Sequence, residues 1–238
     1  MSLATSLNSS ERHWNESIVT RLLSVTSGVK KVRRYNSPLR VEQADLTRQR
    51  ALAAARELFL AHGYAGTTVA EVARVAGLSP DTIYVSLGGK QGLLEGVWAR
   101  AVYDPDDPMQ REQEHRLERI AGLSDPHQRL RQLVKVSCET LARTSPVHGV
   151  IRGAADGHPF AVELRARLLS GRLEIQSRRL HAVLGSSLRA GISITRAAEH
   201  YSALLSPELY HLLTVERRWS ERQYETWVVD LLDHDLLG

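Results

Sequence analysis

Apolar positions recur at spacings of three and four along most of this chain, and from Leu46 onward they divide it into helices. Leu52, Ala55, Leu58, Phe59 and His62 form one stripe. They predict a helix of about 15 residues, closed by Gly63 at the left-handed position beyond its end. Thr67 and Thr68 then offer a cap to a short helix that turns Val69, Val72 and Ala73 inward, and Gly77 ends it. Ser79 followed by Pro80 is a cap with proline at the first helical position, so a third helix starts there. Ile83 and Leu87, four apart, anchor this helix and Gly88-Gly89 stops it; a fourth is expected from about Lys90 to Tyr103.

The remainder reads as helix after helix, punctuated by breakers: Pro105 and Pro108, Asp125-Pro126, Ser145-Pro146, Gly157 to Pro159, Gly185, Gly191 and Pro207. The last two helices are expected at roughly 194–215 and 220–236. No period-two alternation survives, so the fold class is all-α. Residues 1–44 differ. Ser and Asn cluster at the start, a short amphipathic stretch follows, and then comes the basic run Lys30-Lys31-Val32-Arg33-Arg34. Pro38 argues against a helix running on into the next segment, so 1–44 is expected to be a flexible basic extension.

Composition narrows the function class. Ala, Leu and Arg dominate the 238 residues, as in helical proteins, and a net charge of +4 suits a polyanionic partner without requiring one. The single cysteine, Cys138, excludes an intrachain disulfide and fits a reducing compartment. No apolar run approaches the ~20 residues that span a bilayer, and no signal peptide is visible; a soluble, cytoplasmic protein is expected. The ten histidines show no HExxH spacing. Gly88-Gly89-Lys90 lacks the upstream glycine of a phosphate-binding loop, and Asp104-Pro105-Asp106-Asp107-Pro108 reads as a proline-punctuated turn. No metal, cofactor or catalytic residue is expected, and no enzyme.

Two short helices joined by a tight turn and supported by a longer one form a helix-turn-helix, here at 68–87. Ala73 is small where the second helix must approach the third. Gly77 supplies a positive φ without steric cost. Leu78 and Ile83 fill the wedge between the helices. The bland alternative is a helical hairpin with no partner beyond its own core.

The residues themselves favour the former. The string Thr47-Arg48, Ala54-Ala55-Arg56-Glu57-Leu58-Phe59, His62-Gly63-Tyr64, Thr67-Thr68-Val69, Val72-Ala73, Ala76-Gly77-Leu78-Ser79, Thr82-Ile83-Tyr84, Lys90 and Leu93-Leu94 resembles the DNA-binding head of TetR-family regulators. The segments Ser206–Tyr210 and Trp219–Trp227 resemble the C-terminal helices of many actinobacterial-type members. The resemblance implies a DNA-binding head at 45–104 and a ligand-binding, dimerising helical-bundle body at 105–238. It implies that Thr67 or Thr68 donates to a phosphate, that Pro80, Asp81, Thr82, Tyr84, Val85 and Ser86 face the major groove, and that Lys90 holds a phosphate by charge; Arg48 belongs to the same DNA-contacting set. Helix N-termini are natural phosphate sites, which supports the first and last independently.

Two departures stand out. Leu87 replaces the family's usual phenylalanine, and no Lys or Arg lies between Arg74 and Lys90, nor any Asn or Gln in the third helix, so the strong bidentate base readers are missing. Base discrimination is left to Thr82, Tyr84, Val85 and Ser86, with apolar contacts to thymine methyls, and Asp81 is either a cytosine acceptor or a helix-dipole residue. The arm carrying Lys30, Lys31, Arg33, Arg34 and Arg40 either adds DNA contacts or is an idle tail.

For the body, the resemblance implies a small-molecule ligand whose binding shifts the distance between two heads. Trp98, Tyr103, Cys138, Ile151, Arg152, Phe160 and Ile175 are the candidate pocket residues. His148, Asp156 and Glu174, with Arg152, are polar among apolar neighbours. Leu204, Leu205, Leu209, Leu212, Leu213, Trp227, Val228 and Leu231 are candidates for a homodimer interface across a two-fold axis. The expected function is a repressor released from a palindromic double-stranded operator by its ligand. The alternatives are an activator and a fold relative that binds protein instead.

Overall fold

In a computed structural model of the chain, residues 38–104 and 116–238 are described. They are helices and connections, with no strand among the described residues. The order is α1 (Pro38–His62), α2 (Val69–Ala76), α3 (Pro80–Leu87), α4 (Gly89–Val102), a helical stretch at 116–121, α5 (Pro126–Ala155), α6 (Pro159–Leu184), α7 (Ile194–Leu204), α8 (Pro207–His211), a wide π turn over Leu212–Glu216, and α9 (Glu221–Leu236). The basic run Lys30–Arg34 and the Asp106–Pro108 turn lie outside the described residues.

Two compact units divide the chain: the residues up to Arg100 together with Val150–Arg165, and Ala101–Gly149 together with Ala166–Gly238. The expected boundary at 104 therefore shifts. The end of α5 and the start of α6 belong with the head, where the His158 ring meets the edge of Tyr64 at 5.1 Å.

In the first unit α1 is longer than its apolar stripe suggests. Pro38 starts it instead of blocking it, because a first-turn residue has no intrahelical use for its N–H. Arg40 consequently lies within α1. His62 is exposed and Leu58 half-buried, so the buried residues are Ala51, Leu52, Ala54, Ala55 and Phe59. Against them pack Val72 and Ala73 of α2, Ile83 of α3, and Leu93, Leu94 and Val97 of α4. Burying one such aliphatic side chain contributes about 1.5–3 kcal/mol. The start of α4 depends on Gly92, where a Cβ would stand 1.5 Å from the Leu87 carbonyl oxygen.

The second unit has a core of Leu130, Leu133, Val134, Leu180, Leu184, Tyr201, Leu205, Tyr224, Val228 and Leu232 among others. Two expectations change here. Pro146 lies inside α5 and does not end it. Thr144, Ser145, Val147, His148 and Ile151 around it are buried, so packing outweighs the one backbone hydrogen bond that proline removes. The expected 194–215 helix is split at Ser206-Pro207, where Ser206 caps α8.

Several polar groups in and around this core are tied over long distances in sequence. Tyr201 donates to the Leu133 carbonyl at 3.2 Å and shares a hydrogen bond with Ser137 at 2.7 Å. The Arg172 guanidinium donates to the carbonyls of Leu205 at 2.6 Å and Ser202 at 3.1 Å, closing the C-terminal end of α7. Arg129 does the same for α6, donating to the Val183 carbonyl at 2.9 Å and to Ser187 at 2.7 Å.

Candidate nucleic-acid interface

The helix pair in the head is set by its caps. Thr68 has extended backbone geometry and its hydroxyl accepts from the Glu71 N–H at 3.1 Å, which fixes the first turn of α2. Gly77 closes α2 at φ 64°. The Arg50 side chain of α1 reaches the same corner, donating to the Ala76 carbonyl at 2.6 Å; a Cβ on Gly77 would stand 2.6 Å from that guanidinium. Arg50 was not singled out from sequence. Its position one residue ahead of the apolar stripe carries no sign of a carbonyl 26 residues away.

Ser79 then caps α3, accepting from the Thr82 N–H at 3.1 Å, with Pro80 in the first turn. Ile83 is fully buried and Leu87 nearly so, which fastens one face of α3 to the head. The opposite face is open. Pro80, Asp81, Tyr84, Val85 and Ser86 are exposed and Thr82 is half-buried. Val85 is 89% exposed and Tyr84 58%, unusual values for side chains of their size.

Most of the expected contact residues are therefore exposed or half-buried, with one correction. Thr67 is fully buried and donates its hydroxyl to the Gly63 carbonyl at 2.9 Å, so it braces the turn before α2 and has no free face for a phosphate. Thr68 is exposed, beside the N-terminus of α2. Arg48 is half-buried on α1. Lys90 lies in the first turn of α4 with its ammonium 4.4 Å from the centre of the Tyr64 ring and 3.4 Å from the Ala65 carbonyl. Partial burial lowers its pKa from the ordinary value. An ammonium has three donors, so these contacts orient it and leave donors for an anion.

The body residues are less well gathered. Cys138 belongs to the packed core, and burial together with Glu225, Glu221 and Glu139 pushes its thiol up to about 12. Ile151 is fully buried; Trp98, Tyr103, Phe160 and Ile175 are half-buried; Arg152 is exposed, as are Asp156 and Glu174. His148 alone of those polar candidates is buried, 3.6 Å from a Glu208 carboxylate oxygen. An open groove of about 500 Å³ in the second unit is lined by others, among them Ser145, Pro146, Tyr210, Thr214, Trp219 and Glu221. None of the seven expected pocket residues lines it.

Among the interface candidates, Leu205 and Val228 are fully buried within their own unit, because they fill the space between α5, α7 and α9. They are core and unavailable to a second copy. Leu204, Leu209, Leu213 and Trp227 pack partly on that core, while Leu212 and Leu231 remain about 40% exposed at 39% and 41%.

Among the described residues no helix is long and apolar enough to cross a membrane, and no group of three or more His, Cys, Asp or Glu is placed to hold a metal.

Comparison with known proteins agrees with this geometry. Residues 51–97 match the family described as bacterial regulatory proteins, tetR family. The HTH-type transcriptional regulator AlkX of Mycobacterium tuberculosis is 43% identical over 55 residues, which is 23% of this chain and 26% of the relative. NalD of Pseudomonas aeruginosa, whose structure is that of the secondary repressor of the MexAB-OprM multidrug efflux pump, superposes with a TM-score of 0.60 at 18% identity, over 82% of this chain and 98% of NalD. The fatty acid degradation regulator FadR of Bacillus halodurans gives 0.59 at 17% identity, over 86% and 97%. The two structural likenesses extend to the helical body as fold alone.

Proposed function

We propose that the chain is a TetR-family transcriptional regulator, on the match of its helix-turn-helix head, and that it is a cytoplasmic, dimeric repressor released from a palindromic operator by a small ligand. The observation that carries DNA binding is the α2–α3 pair: both helices are capped by hydroxyl side chains, and α3 is fixed by Ile83 and Leu87 while Tyr84 and Val85 stand in solvent. A major groove is wide enough to admit one such helix. The N-terminal turns of α2 and α4, with Thr68 and Lys90, would meet the phosphates on either side. Repression is proposed from likeness to NalD, whose name states a repressor; ligand release is proposed only from the family resemblance of the chain. A dimer follows from the palindrome: one α3 reads one half-site, and two-fold symmetry doubles the contact. Leu212 and Leu231 are the remaining exposed members of the interface set.

The test is selection of bound duplexes from a random library, followed by salt titration of the enriched sequence. An enriched palindrome supports the reading, and for about six phosphates neutralised per dimer log affinity falls against log salt with a slope near −5. Weak binding without enrichment overturns it and favours the protein-binding alternative, which the absence of Arg, Lys, Asn and Gln from α3 keeps in view.

A further inference from the structure

The open face of α3 is poor in hydrogen-bond donors, and the structure removes more of them than the sequence does. Pro80 has no N–H, and the carboxylate of Asp81 accepts only. The Thr82 and Ser79 hydroxyls bond each other at 2.8 Å, so one of their two protons is engaged. Ser86 donates its hydroxyl proton to the Thr82 carbonyl, one turn back along the same helix. The Tyr84 ring lies against the backbone of Gly89, where a Cβ would come within 2.8 Å of it. Tyr84 keeps a single hydroxyl donor at 58% exposure, and Val85 stands clearest at 89%, with a β-branched side chain held in essentially one rotamer by the helix.

Such a face suits one kind of base edge. Guanine offers the major groove two acceptors and calls for a bidentate donor, which α3 lacks. Thymine offers a C5-methyl group, whose best partner is a rigid apolar side chain. We propose that this head reads its operator through a thymine methyl group, with Val85 as the specificity-determining residue that meets it, and that guanine is rejected at that position. The proposal rests on the DNA-binding reading above and names how its recognition surface works.

The experiment uses the full chain and its library-selected operator, with each thymine replaced in turn by deoxyuridine. This deletes the methyl group and leaves base pairing unchanged. At one position in each half-site the uracil duplex binds about fourfold more weakly, the worth of one buried methyl group. Val85→Ala binds the thymine and uracil duplexes equally at that position, and a 5-methylcytosine pair there is bound better than a cytosine pair by the native chain alone. Because Val85 is exposed, the variant keeps the native helical circular dichroism and melting temperature. A native chain indifferent to uracil at every position overturns the proposal while the operator reading stands. So does a Val85→Ala chain that still discriminates. Failure to enrich any sequence overturns both.

Discussion

The head and the body both cap helix ends with hydroxyl side chains, but they differ in how far their other polar ties reach. In the head most ties are local: Thr68 accepts from Glu71 and Ser79 from Thr82, each three residues on, and Thr67 donates to Gly63 four residues back. The body has such caps too, at Ser193, Ser206 and Ser220, and adds ties that cross the fold. Arg129 reaches Val183, Arg172 reaches Leu205, Tyr201 reaches Leu133, and His127 meets Asp233 at 2.8 Å across 106 residues. Local caps set the angle between two short helices whatever lies behind them. Distant caps hold long helices whose mutual positions no short segment defines.

Breaking the backbone contact in the head has the largest expected effect. Gly92→Ala places a Cβ against the Leu87 carbonyl, and since backbone must move, a loss of about 3 kcal/mol or more is expected, read as a fall in denaturation midpoint. An unchanged midpoint would show that the α3–α4 corner is looser than its geometry.

In the body, Arg172→Met retains the stem but strands the carbonyls of Leu205 and Ser202. Burial already lowers the pKa of this guanidinium, opposed by Glu208. The expected loss is about 2–3 kcal/mol, with head binding to DNA altered only through stability. If the variant is as stable as the native chain, the distant caps do not hold the body.

Alkali sharpens the contrast between the units. The folded Cys138 thiol titrates at about 12 against an ordinary value of 9.0, so the native state keeps a proton that the unfolded chain releases. The sign is unfavourable to folding: this contribution is complete below pH 9 and is lost between 9 and about 12, by about 1.4 kcal/mol per pH unit. Burial also raises Tyr201, Tyr210 and Tyr224 in the same unit. Denaturation midpoints measured from pH 8 to 11 should fall, and less steeply for Cys138→Ala. Equal slopes would mean the thiol is not what titrates.

The smallest effect is at a local cap. Ser79→Ala removes the acceptor for the Thr82 N–H and is expected to lose about 1 kcal/mol, while weakening operator binding through the fraying of α3. Stability loss without any change in binding would separate the cap from the recognition surface.

How much of this was legible beforehand follows the same division. Helices α2 and α3, their caps Thr68 and Ser79, the turn glycine Gly77 and the buried anchors Ile83 and Leu87 were all readable, because each acts within one or two turns. The sequence by itself determined the helical class, the helix-turn-helix and the scarcity of strong hydrogen-bond donors on α3. Tertiary structure alone decided that Pro38 starts a helix and Pro146 sits within one, since a proline's effect depends on whether its N–H would have been used and on what packs around it. It also decided that Thr67 points inward, that Arg50 and Arg172 close helices far away in sequence, and that Leu205 and Val228 fill a core while Leu212 and Leu231 face solvent. Apolar residues of equal hydrophobicity carry no mark of which neighbour will bury them; only the three-dimensional packing assigns it.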